Sequence, residues 1–119
     1  MNVMEFSKRV GISPHTIRYY DKVGLFNETR RLPNGHRCFH NEDIAWLEFI
    51  LRLKDTGMTI ADIHKYAELR KKGQKTIAKR QAMLCEHSIK LEQQIKAQQK
   101  HLEKLNAKIN YYQSLMEAK

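Results

Sequence analysis

Six side chains within ten residues have the chemistry to grip a polyanion: Ser13, His15, Thr16, Arg18, Tyr19 and Lys22. Arginine presents a planar fork that fits guanine or phosphate; threonine and tyrosine hydroxyls donate to phosphate, and lysine adds a point charge. Spacing decides whether they can act together. Ser13-Pro14 reads as a helix cap followed by proline at the first helical position. A helix from Pro14 to about Val23, closed by Gly24, turns Ile17 and Tyr20 inward and leaves His15, Thr16, Arg18, Tyr19 and Lys22 outward. Its start, with Ser13 and free backbone N–H groups, is an anion site in its own right.

The flanking elements are those needed to hold such a helix. Asn2 caps a helix through Val10, with Phe6 and Val10 on its inner face, and Gly11 ends it as a residue of positive φ would. Helix, tight glycine turn and capped helix form a helix-turn-helix pattern. In the segment Arg30 to Phe39, Asn34-Gly35 predicts a two-residue hairpin with basic residues on both arms, a wing placed to reach phosphates or the minor groove. Asn41 is expected to cap a further helix carrying Ile44, Leu47, Ile50, Leu51 and Lys54, ending near Gly57. Thr59 is expected to cap another, with Ile60, Ile63, Tyr66 and Ala67 facing inward. Arg70-Lys71-Lys72-Gly73 links that helix to the C-terminal segment.

From Thr76 to Lys119 there is neither glycine nor proline, so one long helix is expected. In heptads, the a positions are Gln81, Ser88, Ile95, Leu102, Ile109 and Met116, and the d positions are Ile77, Leu84, Leu91, Gln98, Leu105 and Tyr112. Nine of the twelve are apolar, the pattern of a coiled-coil seam. Such a helix reaches roughly 65 Å at 1.5 Å per residue. The preceding 75 residues cannot cover that stripe, so a second chain is expected there. Leu84, Leu91, Ile95, Leu102, Leu105, Ile109, Tyr112 and Met116 are the candidate dimerisation residues. Heptad spacing alone leaves a parallel and an antiparallel pair equally open.

The chain carries 22 Lys and Arg against 13 Asp and Glu, a net charge of +9, which favours an anionic partner: nucleic acid or an acidic membrane surface. Residues 1–40 hold seven of the basic residues against three acids, so a basic excess accompanies the helix-turn-helix and the wing. No apolar run approaches a membrane span, and residues 1–5 show neither a basic n-region nor a small-residue cleavage site, so secretion is not expected. With only Cys38 and Cys85, a disulfide scaffold is excluded and a cytoplasmic location is expected. His36, Cys38 and His40 alternate along one arm, but i and i+4 on a strand lie about 13 Å apart, too far to share one metal ion, so no metal site is expected. Serine-nucleophile motifs, glycine-rich phosphate loops and paired catalytic carboxylates are absent, and neither an enzyme nor a cofactor is expected. A coiled-coil scaffold with an incidental basic patch is the alternative to a DNA-binding regulator, and a duplex-selection experiment separates the two.

Thr16-Ile17-Arg18-Tyr19-Tyr20-Asp21-Lys22-Val23-Gly24-Leu25, then Arg30-Arg31 to Gly35-His36-Arg37, then Leu53-Lys54-Asp55-Thr56-Gly57-Met58 resemble the MerR family of bacterial transcription regulators. The resemblance covers residues 1–70, and the long helix has the place and length of that family's dimerisation helix. It implies a mainly α fold: a winged helix-turn-helix domain over residues 1–75, then a dimerisation helix over 76–119 that pairs antiparallel. It implies a homodimer that binds a palindrome in a promoter with an overlong spacer. Untwisting and bending that DNA lets RNA polymerase use both promoter elements. Arg18 and Tyr19 match the DNA-facing pair of the recognition helix; Arg31 and Arg37 lie on the wing, and Lys54 matches a phosphate-contacting residue. His36 stands where the family usually has tyrosine. The chain ends where the long helix ends, so no ligand-binding domain is expected after it. Gly73-x-x-Thr76-Ile77-x-x-Arg80 and Lys108-Ile109-x-Tyr111-Tyr112 further resemble a short subfamily that answers aldehydes and other thiol-reactive stress. Those relatives carry a cysteine where Arg52 stands here, which leaves Cys85 or Cys38 as the candidate sensor thiol.

Overall fold

A computed structural model of the chain describes residues 1–26 and 31–118. Arg30, expected on the first arm of the wing, and Lys119 lie outside the described residues. The element order is α1 (Val3–Val10), α2 (Pro14–Lys22), α3 (Asn41–Asp55), α4 (Ile60–Lys71), a 3-10 turn (Gly73–Thr76) and α5 (Ile77–Glu117). The chain divides into two compact units, Met1–Met83 and Leu84–Lys119. No helix among the described residues is long and apolar enough to cross a membrane.

The ends of the first two helices arise from local chemistry. Asn2 accepts from the Glu5 N–H at 2.8 Å, and Glu5 reaches back to the Asn2 N–H at 3.4 Å, forming a capping box. Gly11 closes α1 at φ 70°, in the left-handed region that excludes most side chains. Ser13 caps α2 by accepting from the Thr16 N–H at 3.2 Å, with Pro14 at the first helical position.

Two expected details differ. The cap of α3 is His40, one residue before Asn41, because the Asp43 carboxylate accepts from the His40 N–H at 2.8 Å and Asn41 is already helical. Ile60 is exposed. It occupies the first position of α4, at the flank of the stripe defined by the buried Ile63, Tyr66 and Ala67. Thr59 caps α4 through the Asp62 N–H at 3.2 Å, as its position suggests.

The core of the first unit is aromatic. Phe6 of α1 stacks on Phe39 with ring centroids 4.3 Å apart, and both meet Phe26 edge-on at 6.2 and 5.3 Å. Phe6, Ile17, Leu47, Ile50 and Ile63 are fully buried, so α1 to α4 close on one interior. A second cluster forms where α3 meets α4. Trp46 stacks on Tyr66 at 6.0 Å, the Arg70 guanidinium lies 4.1 Å from the Trp46 ring, and the indole N–H donates to the Leu25 carbonyl at 2.8 Å. That bond ties the exit of α2 to α3. Trp46→Phe should keep the stacking but strand a buried carbonyl, lowering unfolding free energy by about 1–3 kcal/mol in urea titration.

The wing is shorter than two strands. Among the described residues no named strand forms; Arg31 and Arg37 make one isolated antiparallel bridge. Asn34-Gly35 is not a two-residue loop. The Gly35 N–H donates to the Leu32 carbonyl at 2.9 Å and the Leu32 N–H to the His36 carbonyl at 2.8 Å, so the loop is Pro33-Asn34-Gly35. Only Gly35 has positive φ, at 84°, whereas a two-residue turn of the expected kind needs it at Asn34 as well. Pro33 explains the outcome. It lacks the N–H a paired position would donate, and its fixed φ suits the first corner of a turn.

Candidate nucleic-acid interface

The outward face of α2 is built as expected. His15, Arg18, Tyr19 and Lys22 are exposed or half-exposed, while Ile17 and Tyr20 are buried against the core. Tyr19 is 47% exposed, a large aromatic left in solvent beside an arginine. Ser13 and Thr16 form one unit: the Ser13 hydroxyl donates to Thr16 Oγ1 at 3.0 Å while accepting from the Thr16 N–H. Ser13 therefore spends its proton on Thr16, and the Thr16 hydroxyl keeps its own for an external acceptor.

An open cleft lies between α2 and the wing, lined by Arg18, Asp21, Arg31, His36 and Arg37 among others. Asp21 organises it. Arg37 donates to Asp21 Oδ1, and Arg31 Nη2 lies 3.4 Å from Asp21 Oδ2. Arg31 also donates to the Gly35 carbonyl at 3.2 Å, so its guanidinium spans helix and loop. The two arginines differ in exposure. The Arg31 side chain is 40% exposed, whereas that of Arg37 is 6% exposed. Arg37, the match to the family's wing arginine, is packed on the Asp21 carboxylate. The bridge pairing puts it directly opposite Arg31, and the shared acid draws both guanidinium groups toward α2. His36 is exposed at the loop, its N–H held by Asn34 Oδ1 at 3.0 Å.

Lys54 is exposed in the last turn of α3, with its ammonium 5.7 Å from the Tyr20 ring centroid. The buried Tyr20 hydroxyl has no hydrogen-bond partner among the described residues. On the other flank, Lys71 of α4 donates to the Gly24 carbonyl at 2.9 Å and to Glu68 at 3.0 Å. The Lys71 hydrogen bond, helped by the nearby positive charges of Lys71, His64 and Lys72, holds the Glu68 carboxyl below its usual value against the opposing effect of desolvation. Gly24 itself sits at φ 87°, so the chain leaving α2 is fixed by backbone geometry and by α4 together.

Sequence patterning misses two of these features. Asp21 as the common partner of two wing arginines is invisible to helix periodicity, because its partners lie 10 and 16 residues away through a turn. The Lys71–Gly24 contact spans 47 residues. Only the opposite sign of Asp21 among so many basic neighbours hinted at the first.

On α5, no described residue is buried. Ile95, Leu102, Leu105, Ile109, Tyr112 and Met116 are exposed, and Leu84 and Leu91 are half-exposed. The stripe read from the heptads is thus bare in the single chain. In the 3-10 turn just before α5, Thr76 is buried, its hydroxyl within reach of the Leu69 and Gly73 carbonyls at 2.6 and 2.9 Å, and it accepts from Arg80 Nε at 3.1 Å. Cys85 is exposed, contrary to the usual preference of a free cysteine for burial, and Cys38 is half-buried at the exit of the wing. Among the described residues no three His, Cys, Asp or Glu side chains group as metal ligands would.

Comparison with known proteins places these elements in a family. A family model described as MerR HTH family regulatory protein matches residues 1–69, and a second, described as MerR, DNA binding, matches residues 44–108. An uncharacterized HTH-type transcriptional regulator of Haemophilus influenzae is 35% identical over 107 residues, covering 90% of this chain and 79% of that protein. The HTH-type transcriptional regulator AdhR of Bacillus subtilis is 33% identical over 91 residues, covering 76% of this chain and 65% of AdhR. A crystal structure of HiNmlR, a MerR family regulator lacking the sensor domain and bound to promoter DNA, superposes with a TM-score of 0.83 at 33% identity, covering 95% of this chain and 90% of that one.

Proposed function

This chain belongs to the MerR family of DNA-binding transcriptional regulators, and from that membership we propose that it acts as a homodimer, gripping a promoter palindrome with α2 and the wing of each copy. The observation that carries the proposal is the joint display of Arg18, Tyr19, Thr16 and Lys22 on one outward face, beside a cleft whose other wall is basic. Arg18 and Tyr19 take base edges or the nearest phosphates. His15, Lys22, Arg31, His36 and Lys54 contact the backbone on either side, and the Ser13-capped start of α2 receives a phosphate. Residues 1–75 form the DNA-binding domain and residues 76–119 the dimerisation helix, with the bare stripe of α5 closing on its counterpart in antiparallel fashion.

The working state is cytoplasmic, with no catalytic role. Dimer binding distorts a promoter with an overlong spacer and so presents it to RNA polymerase. The resemblance of Gly73-x-x-Thr76-Ile77-x-x-Arg80 and Lys108-Ile109-x-Tyr111-Tyr112 to the thiol-stress subfamily supports a stress-linked signal, for which Cys85, exposed on α5, is the more accessible thiol. Reporter activation that is unchanged in both Cys85→Ser and Cys38→Ser cells under aldehyde treatment would remove that signal from the proposal.

The direct experiment is selection from a random duplex library. The expected product is an inverted repeat, bound with an affinity that falls steeply as salt rises. A chain that enriches no sequence would be a scaffold, not a regulator. Arg18→Ala should weaken the selected duplex by about 1–3 kcal/mol, read by fluorescence anisotropy. Equal losses on selected and random duplexes would deny Arg18 a base-reading role.

A further inference from the structure

We propose that Asp21 is the positioning residue that sets the wing against the recognition helix, and that its two arginine partners have unequal roles: Arg37 braces, and Arg31 is the one handed over to DNA. The inference rests on the assignment of α2 and the wing as the DNA interface.

Asp21 lies on α2, three residues after Arg18 and so on a neighbouring part of the same surface. Its side chain is 14% exposed. An acid at a surface meant for phosphates opposes binding by simple charge, so its presence there needs a compensating role. The structure supplies one. Asp21 Oδ1 receives Arg37 from the second arm of the wing, and Asp21 Oδ2 faces Arg31 from the first. Both arms of a hairpin that shows one isolated backbone bridge among the described residues are thus tied to one carboxylate on the helix. These two contacts between the wing arginines and α2 both converge on Asp21.

The two ties differ in kind. The Arg37 side chain is 6% exposed, and pulling a buried guanidinium off a carboxylate is costly, so of the two ties this is the one that holds. Arg31 is 40% exposed and 3.4 Å from the acid, a weak pair in high dielectric. A phosphate arriving in the cleft offers Arg31 a better-matched bidentate acceptor. Arg31 can leave Asp21 for it while Arg37 keeps the wing in place.

The test is the sign of the effect of Asp21→Asn. If Asp21 were only a surface acid near DNA, removing its charge would tighten binding to every duplex. If Asp21 positions the wing, affinity for the duplex selected by the wild-type chain should fall roughly tenfold or more, as it does when the competent arrangement is populated a tenth of the time. Random duplex should be affected much less. Asp21→Glu, which keeps the charge and alters only reach, covers the case in which the asparagine variant does not fold: positioning predicts a smaller loss on the selected duplex, and a charge-only role predicts none. Arg31→Ala should lower the slope of log affinity against log salt by about 0.9, one phosphate contact. Arg37→Lys should lower affinity for the selected duplex with that slope unchanged. Tighter binding by Asp21→Asn, unaltered binding by Asp21→Glu, or an unaltered slope in Arg31→Ala would overturn the proposal. A wild-type chain that selects no duplex at all would instead refute the DNA interface beneath it.

Discussion

Leu102→Asp combined with Leu105→Asp should convert the chain to a monomer at micromolar concentration in sedimentation. Both leucines are exposed in the single chain, Leu105 at 63%, so the substitutions disturb no packing within it. Their whole effect falls on the paired state. A fully buried leucine contributes about 1.5–3 kcal/mol by transfer out of water. Two leucines from each of two copies place roughly 6 kcal/mol or more at stake, about four decades in the dissociation constant. Aspartates at those places would also have to be buried as charges, which adds to the loss. Circular dichroism, which reads backbone and not pairing, separates loss of the dimer from loss of the helix. A double variant that still sediments as a dimer would show that the chain pairs through another surface.

Phe6→Ala should cost the first unit about 3–5 kcal/mol of stability, as other buried phenylalanine truncations do. Phe6 is fully buried, stacked face to face on Phe39 and edge-on to Phe26. The ring joins α1 to the exit of the wing, so no single neighbour can collapse into the space left. Small domains are stable by only about 5–15 kcal/mol, and this change consumes a large part of that. DNA binding should weaken in parallel as the folded fraction falls on warming. Urea unfolding checks the size, and a loss below about 1 kcal/mol would mean that the surrounding side chains repack.

How much of the fold and the site was legible in the sequence depended on distance along the chain. The caps at Asn2, Ser13 and Thr59 were readable because each bonds three residues ahead of itself. Gly11 and Gly24 were readable because positive φ is a property of one residue. The heptads of α5 needed only counting. The wing failed at its register. Asn34-Gly35 suggested one loop, and Pro33 imposes another, one residue longer. Under the expected loop Arg31 would have faced Cys38; in the structure it faces Arg37. A shift of one residue turns side chains to the other face, which is how Arg37 came to lie inward. The same dependence on tertiary position hid Asp21 and Lys71, whose partners are set by how helices pack and not by spacing along any one of them.

The bare stripe of α5 also bears on abundance. If the chain pairs as proposed, it meets a two-half-site operator as the square of its own concentration whenever monomer predominates. Halving expression would then cut operator occupancy about fourfold at low saturation. Below that threshold, each unpaired copy carries an uncovered row of leucine, isoleucine and methionine, the kind of surface that invites aggregation or proteolytic clearance. On the proposed pairing, the stripe gives the chain a built-in gauge of its own copy number.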